Sequence, residues 1–119
     1  MATPAFTIRV FGIYLLGLGA ILIVAPGALL RLFGMPPPEE IWIHVVGMLV
    51  AFLGLYYVRA AAAGLSAFFA WTVPVRLSVL AFFVAFVVLL SAPPTLLLFG
   101  LVDAAAAAWT WRALRAARP

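Results

Sequence analysis

The chain contains no Cys, Lys, Asn or Gln, and only 8% of its 119 residues are charged. Without Cys, disulfides, thiolate metal sites and thiol catalysis are excluded. His44 is the single histidine, so no metal site can be built on several His, and we expect neither a metal nor a cofactor. A soluble domain carries about 25% charged residues. Because this chain has far fewer, we expect most of it to lie in a lipid bilayer.

Apolar residues make up 69% of the chain and concentrate in four runs, each long enough to cross a bilayer as a helix. Only helices and closed barrels satisfy their backbone hydrogen bonds in lipid, and the strict alternation of a barrel strand is absent. The predicted fold is therefore an all-α integral membrane protein, an antiparallel four-helix bundle forming one transmembrane domain over residues 1–119. The predicted helices are 6–24, 41–62, 73–90 and 94–115, with a short interfacial helix at 26–33.

Breaks between the runs have recognisable helix-end chemistry. Pro26 and Gly27 follow the first run, and three prolines at 36–38 predict a stiff turn. Glu39 and Glu40 then stand where acids complement the dipole of the second helix. Thr72 is the predicted N-cap of the third helix, with Pro74 in its first turn.

Charge distribution predicts the orientation of the bundle. One predicted side holds six of the seven arginines and the other holds Arg31 with Glu39 and Glu40. The positive-inside rule then places both termini in the cytoplasm. The net charge of +4 is a topology signal, so we expect no nucleic-acid partner. An Ala-rich chain whose basic residues are all Arg is typical of a GC-rich bacterial genome, which predicts the inner membrane of a bacterium.

Small residues recur at helical spacing and predict close helix packing, because lipid provides no hydrophobic drive between helices. These small residues form a seam that serves contacts within the bundle or contacts between protomers of a homo-oligomer. The alternative is a ligand groove lined by small residues. The predicted packing residues are Gly12, Gly17, Gly47, Ala51, Gly54 and Gly100.

Asp103 is the only carboxylate inside an apolar run. Placing an acid at the bilayer centre costs roughly 2.5–3.5 kcal/mol on insertion scales. Arg76 is its expected partner, in an ion pair that joins the third and fourth helices. A substrate or proton site is the first alternative, and its predicted residues are Asp103, Arg76, Tyr14, Tyr56 and Arg59. A protonated, hydrogen-bonded Asp103 with no further role is the second.

A second polar group is predicted near the opposite side. Glu40 and His44 are four residues apart and share a helical face, with Arg31 as a possible neighbour. An ordinary helix-end acid and an interfacial His explain them, and a catalytic or pH-sensitive pair is the alternative. The catalytic candidates are therefore Asp103, Glu40 and His44, and no known catalytic motif is present.

The stretches GLGAILIVAPGALLRLFGMP (17–36) and WIHVVGMLVAFLGLYY (42–57) resemble small bacterial four-helix membrane proteins of the DoxX-like kind. The resemblance implies a four-helix membrane fold. Some related proteins are associated with quinone-linked oxidoreductase systems. That activity cannot be carried over, because this chain has no Cys and one His.

Three functions follow as expectations. The favoured one is a non-enzymatic binding or accessory module that self-associates or binds a membrane partner, a lipid or another lipophilic small molecule. The second is a proton-coupled transporter or channel that uses Asp103. The third is a membrane enzyme, of isomerase or cyclase type, that acts on a lipophilic substrate with Asp103 as general acid or base. Whether the chain is an enzyme stays open at this point.

Overall fold

The structure is a computed structural model that describes residues 2–36 and 40–118. In that part of the chain all regular structure is helical, in the order α1 (Pro4–Val24), α2 (Pro26–Leu32), α3 (Trp42–Ala63), α4 (Ser66–Leu90) and α5 (Leu96–Ala116). The four helices α1, α3, α4 and α5 are long and apolar enough to span a membrane. The all-α prediction with four helices of that kind is confirmed. The expected role of Glu39 lies outside the described residues.

The first two helix ends follow from local chemistry. Thr3 caps α1, its side-chain oxygen accepting from the backbone N–H of Phe6 at 3.1 Å, and Pro4 takes the first helical position. The helix therefore begins two residues before its predicted start. It ends at Val24 because Pro26 disfavours helical geometry at the preceding residue, and Ala25 has φ −144°. Pro26 then begins α2.

The predicted start of the third transmembrane helix at residue 73 is wrong. Gly64, with φ +66°, ends α3, and α4 begins two residues later at Ser66. Thr72 is not an N-cap, because it lies inside α4 and its hydroxyl donates to the carbonyl of Phe69 at 2.8 Å. Pro74 lies in the helix interior, which membrane helices tolerate. Arg76 is thus about 15 Å along α4, at 1.5 Å per residue from Ser66, and not one turn from its end.

The long helices form two antiparallel pairs, α1 with α3 and α4 with α5, and α1 also contacts α2, α4 and α5. Glycines make the α1–α3 approach possible. Gly12 faces Gly54, and Gly19 faces Gly47 and Ala51. A Cβ added at Gly47 would lie 2.7 Å from the Cβ of Leu22, and one at Gly54 would lie 2.8 Å from the carbonyl oxygen of Gly12. This seam is therefore filled by contacts within one chain.

The other two predicted packing glycines, Gly100 and Gly17, differ in whether they contact another helix. Gly100 of α5 lies against Leu80 of α4, whose Cα would be 3.2 Å from an added Cβ. An added Cβ at Gly17 would meet no atom within 4 Å, and Gly17 is exposed. Gly17 therefore takes no part in the packing within this chain.

The start of α1 and the end of α5 lie at the same end of the bundle, called here the terminal end. Phe6 of α1 and Trp109 of α5 pack edge to face with ring centroids 5.9 Å apart. The opposite end, called here the α2 end, holds α2 and the connection between α4 and α5. There Phe33 and Phe99 lie 4.8 Å apart, which links the residue after α2 to α5.

Candidate functional site

Arg76 is buried at the meeting point of the helices, with 2% of its surface exposed. Its Nη2 donates to Oγ1 of Thr72 at 3.0 Å and to Oγ1 of Thr110 at 2.8 Å. Its Nε donates to the carbonyl of Thr72 at 3.4 Å. Among the described residues Nη1 has no hydrogen-bond partner. A guanidinium is always charged, so this is a buried cation held by neutral hydroxyls.

The hydroxyls around Arg76 form a directed chain. Thr7 donates its one hydroxyl proton to the carbonyl of Pro4 at 2.7 Å. The 2.8 Å contact between the hydroxyls of Thr7 and Thr110 must therefore be donated by Thr110. Thr110 in turn accepts from Arg76. We call Arg76, Thr72, Thr110 and Thr7 the polar network, and it joins α4, α5 and α1.

Two aromatic rings complete the surroundings of the guanidinium. The Cζ of Arg76 lies 4.8 Å from the ring centroid of Phe11 on α1 and 5.8 Å from that of Tyr57 on α3. Cations are attracted to aromatic faces within about 6 Å. Arg76 therefore interacts with all three of the other long helices.

The expected ion pair between Asp103 and Arg76 is not formed: in the part of the chain that the structure describes, the hydrogen bonds of Arg76 go to threonines. Side chains lean toward the N-terminus of their own helix. Because α4 and α5 are antiparallel, Arg76 leans toward the terminal end and Asp103 leans toward the α2 end. The two side chains therefore lean apart, and no ion pair joins them.

Asp103 instead lines a groove of about 300 Å³ between α3 and the α4–α5 pair, with α1 as its floor. All five helices contribute lining residues, which are apolar except for Asp103 and Tyr14. Within the described residues neither of these two side chains makes a hydrogen bond. The groove thus combines apolar walls with two polar groups that have free hydrogen-bonding capacity.

The groove exists because α3 packs against α1 and makes few close approaches to α4 or α5. Tyr57 and Phe68 bring α3 and α4 together only near the terminal end, with ring centroids 5.3 Å apart. The polar network lies at that same end. Toward the α2 end the lining continues through Leu29, Leu30 and Met35. The groove is therefore closed toward the terminal end and extends toward the α2 end.

Two of the residues predicted for the substrate or proton site lie elsewhere. Tyr56 is 64% exposed, and Arg59 is exposed near the end of α3. Tyr57, one position further, is the tyrosine that faces the interior, at 4% exposure. One residue along a helix is a rotation of about 100°, which accounts for the difference.

The predicted grouping of Glu40, His44 and Arg31 is not formed among the described residues. Nδ1 of His44 lies 2.6 Å from the carbonyl oxygen of Ile23, and since a carbonyl only accepts, the ring donates. His44 thus satisfies a carbonyl left free where α1 ends. Nε of Arg31 donates to the carbonyl of Gly27 in its own helix. Glu40 is exposed.

Four residues of this site were not predicted from the sequence, and Thr72 was predicted only as an N-cap; the four are Thr7, Thr110, Phe11 and Tyr57. A signal for the three threonines was present in the spacing. Thr7 precedes Tyr14 by seven residues and Asp103 precedes Thr110 by seven, so each pair shares a helical face. Thr72 and Arg76 are four apart and also share a face.

No group of three or more potential metal ligands comes together in residues 2–36 and 40–118. The chain matches no family model, no curated protein and no solved structure. The groove and the polar network are therefore the features of the chain that indicate its function.

Proposed function

We propose that this is a multi-pass protein of a bacterial inner membrane, with both termini in the cytoplasm. Five arginines lie toward the terminal end of the bundle: Arg9, Arg59, Arg112, Arg115 and Arg118. Arg31 lies at the α2 end, and the buried Arg76 makes no contribution to surface charge. This asymmetry supports a cytoplasmic terminal end, because loops rich in Arg stay inside.

Within that membrane we propose that the chain is a non-enzymatic module that binds a lipophilic molecule in the groove. The observation that carries the proposal is the groove itself, about 300 Å³ in volume and apolar apart from Tyr14 and Asp103. Small-molecule sites of about 300–1,000 Å³ with apolar walls and a few placed polar groups are the usual form of a ligand pocket. The groove is at the lower end of that range, which favours a single hydrocarbon chain.

The architecture supports binding over passage. The polar network and the Tyr57–Phe68 contact lie at the terminal end, so the groove has no continuation there. The glycine seam that suggested self-association is filled within the chain, so it does not argue for a homo-oligomer. The resemblance to DoxX-like proteins stays a prediction and contributes no activity.

A photoreactive hydrocarbon-chain probe tests the proposal in lipid nanodiscs, with labelled residues mapped by mass spectrometry. We expect labelling at Val79 and Phe83, which line the groove, to saturate and to be displaced by unlabelled chain. Labelling at Phe82 and Val75, which are 60% and 61% exposed on the same helix, should rise without saturation. Equal, non-saturating labelling of both sets would contradict a binding groove.

A membrane enzyme is the second candidate, because a carboxyl group beside an accessible cavity can act as a general acid or base. Asp103→Asn separates the candidates. A binding module should keep its ligand with this variant, whereas an enzyme should lose turnover while still binding. Proton-coupled transport should appear as flux into liposomes that Asp103→Asn abolishes.

A further inference from the structure

We propose that the groove takes a neutral long-chain alcohol, inserted with its hydroxyl group between Tyr14 and Asp103. This inference depends on the proposed function and names the chemistry of its ligand. A hydroxyl group both donates and accepts one hydrogen bond. Tyr14 can donate, the Asp103 carboxyl can accept, and neither is otherwise hydrogen-bonded in the described part of the chain.

The charges around the groove disfavour a fatty acid. A fatty acid seated there would place a second carboxyl group beside Asp103, and the two could not both be ionised in a medium of low dielectric without strong repulsion. The nearest cation, Arg76, leans away from the groove toward Thr72 and Thr110. It is also absent from the groove lining. No cation is therefore in place to receive an acid.

The hydrogen-bonding groups of the site disfavour a long-chain amine. An ammonium group only donates hydrogen bonds, so beside Asp103 it would leave the hydroxyl proton of Tyr14 without an acceptor. It would also bring a charge into the membrane interior, which costs several kcal/mol of desolvation. A hydroxyl group adds hydrogen bonds without adding charge.

Size and depth disfavour a phospholipid. Asp103 is seven residues into α5, about 10 Å from the start of that helix. A charged phosphate at that depth would have to leave water, and two acyl chains exceed a groove of about 300 Å³. A single chain with a small neutral polar end satisfies both the volume and the depth.

Competition in nanodiscs tests the inference, using a photoreactive long-chain alcohol as the probe. The competitors are dodecanol, dodecylamine, dodecanoic acid and dodecane, which share one chain and differ at its end. Two paired hydrogen bonds should make dodecanol compete at least about tenfold better than dodecane. Tyr14→Phe should remove several-fold of that advantage and leave dodecane unchanged. The matched control Tyr56→Phe changes an exposed tyrosine and should have no effect.

Asp103→Leu should reduce the advantage of dodecanol over dodecane several-fold, because only the hydrogen bond from Tyr14 remains, while Asp103→Asn keeps a hydrogen-bonding group and should retain most of the preference. Preferred competition by dodecylamine or dodecanoic acid would overturn the inference, since charge would then be recognised. Equal competition by all four chains would also overturn it but leave the proposed function standing. Absence of any saturable labelling in the groove would contradict both. If Asp103→Leu fails to fold, the Tyr14→Phe and Tyr56→Phe pair decides alone.

Discussion

The Nη2 of Arg76 on α4 donates a 2.8 Å hydrogen bond to Oγ1 of Thr110 on α5, and both side chains are buried. The hydroxyl of Thr110 in turn donates to Oγ1 of Thr7 on α1. The two antiparallel helix pairs are thereby joined at the terminal end, and the groove opens where this connection stops. The stability of the bundle and the shape of the groove thus depend on the same residues.

Thr110→Val should destabilise the protein, because the isosteric change removes the acceptor of Arg76 and the donor to Thr7. Arg76 keeps its hydrogen bonds to Thr72 but loses the one to Thr110, and a hydrogen bond to a charged group contributes about 1.5–3 kcal/mol. Thermal unfolding in detergent measures the loss. Ser78→Ala is the control, since its hydroxyl donates only to the carbonyl of Val75 in its own helix. Equal stability of the two variants would mean that the network contributes nothing.

Gly47→Ala should loosen the α1–α3 pair. The added methyl would stand 2.7 Å from the Cβ of Leu22 and 2.8 Å from the backbone nitrogen of Ile23, and overpacking of this kind costs about 1–3 kcal/mol. Gly17→Ala makes the same change on open surface and should leave the melting temperature unchanged or raise it. A Gly17 variant as damaged as the Gly47 variant would contradict this account of the seam.

His44→Ala should lower stability modestly, by about 0.5–1.5 kcal/mol, because the Ile23 carbonyl loses its donor. Glu40→Gln should change neither stability nor ligand binding, since Glu40 is exposed and does not hydrogen-bond His44. Unfolding curves and the nanodisc binding assay measure both variants. A strong loss of binding with Glu40→Gln would instead support a functional role for the predicted pair of Glu40 and His44.

Reporter fusions test the proposed orientation. A fluorescent protein that matures only in the cytoplasm should be bright at the C-terminus, and alkaline phosphatase at the same position should be inactive. Removing the charges of Arg112, Arg115 and Arg118 together should weaken this bias, because the positive-inside rule counts basic residues near helix ends. An active C-terminal phosphatase in the parent protein would show that the C-terminus lies outside the cytoplasm, which would contradict the proposed orientation.

The helices were predictable because length and hydropathy alone decide which runs can span a bilayer. The start of α4 was not, since Thr72 followed by Pro74 has the sequence of a helix start, while the αL Gly64 that ends α3 gives a weaker signal. The choice between Tyr56 and Tyr57 also failed, because a helix that faces lipid is apolar on every side and its inward face cannot be read from periodicity.

The lack of a pair between Asp103 and Arg76 has a different cause. The sequence predicts Arg76 one turn inside its helix and Asp103 near the middle of the next one, with the long Arg side chain able to reach inward to the carboxylate. The direction of each side chain depends on the direction of its helix, and antiparallel helices turn the two away from each other. That relationship needs the packing of α4 on α5, which the sequence alone does not contain.

Saturable binding of a hydrocarbon-chain probe to two matched variants tests the central claim most directly. Val79 lines the groove, and Val75, one turn earlier on α4, is exposed. Val79→Phe should fill the groove and abolish saturable binding, while Val75→Phe should bind like the parent protein. Equal binding by both variants, each shown to be folded by its melting temperature, would contradict a ligand site between α3 and the α4–α5 pair.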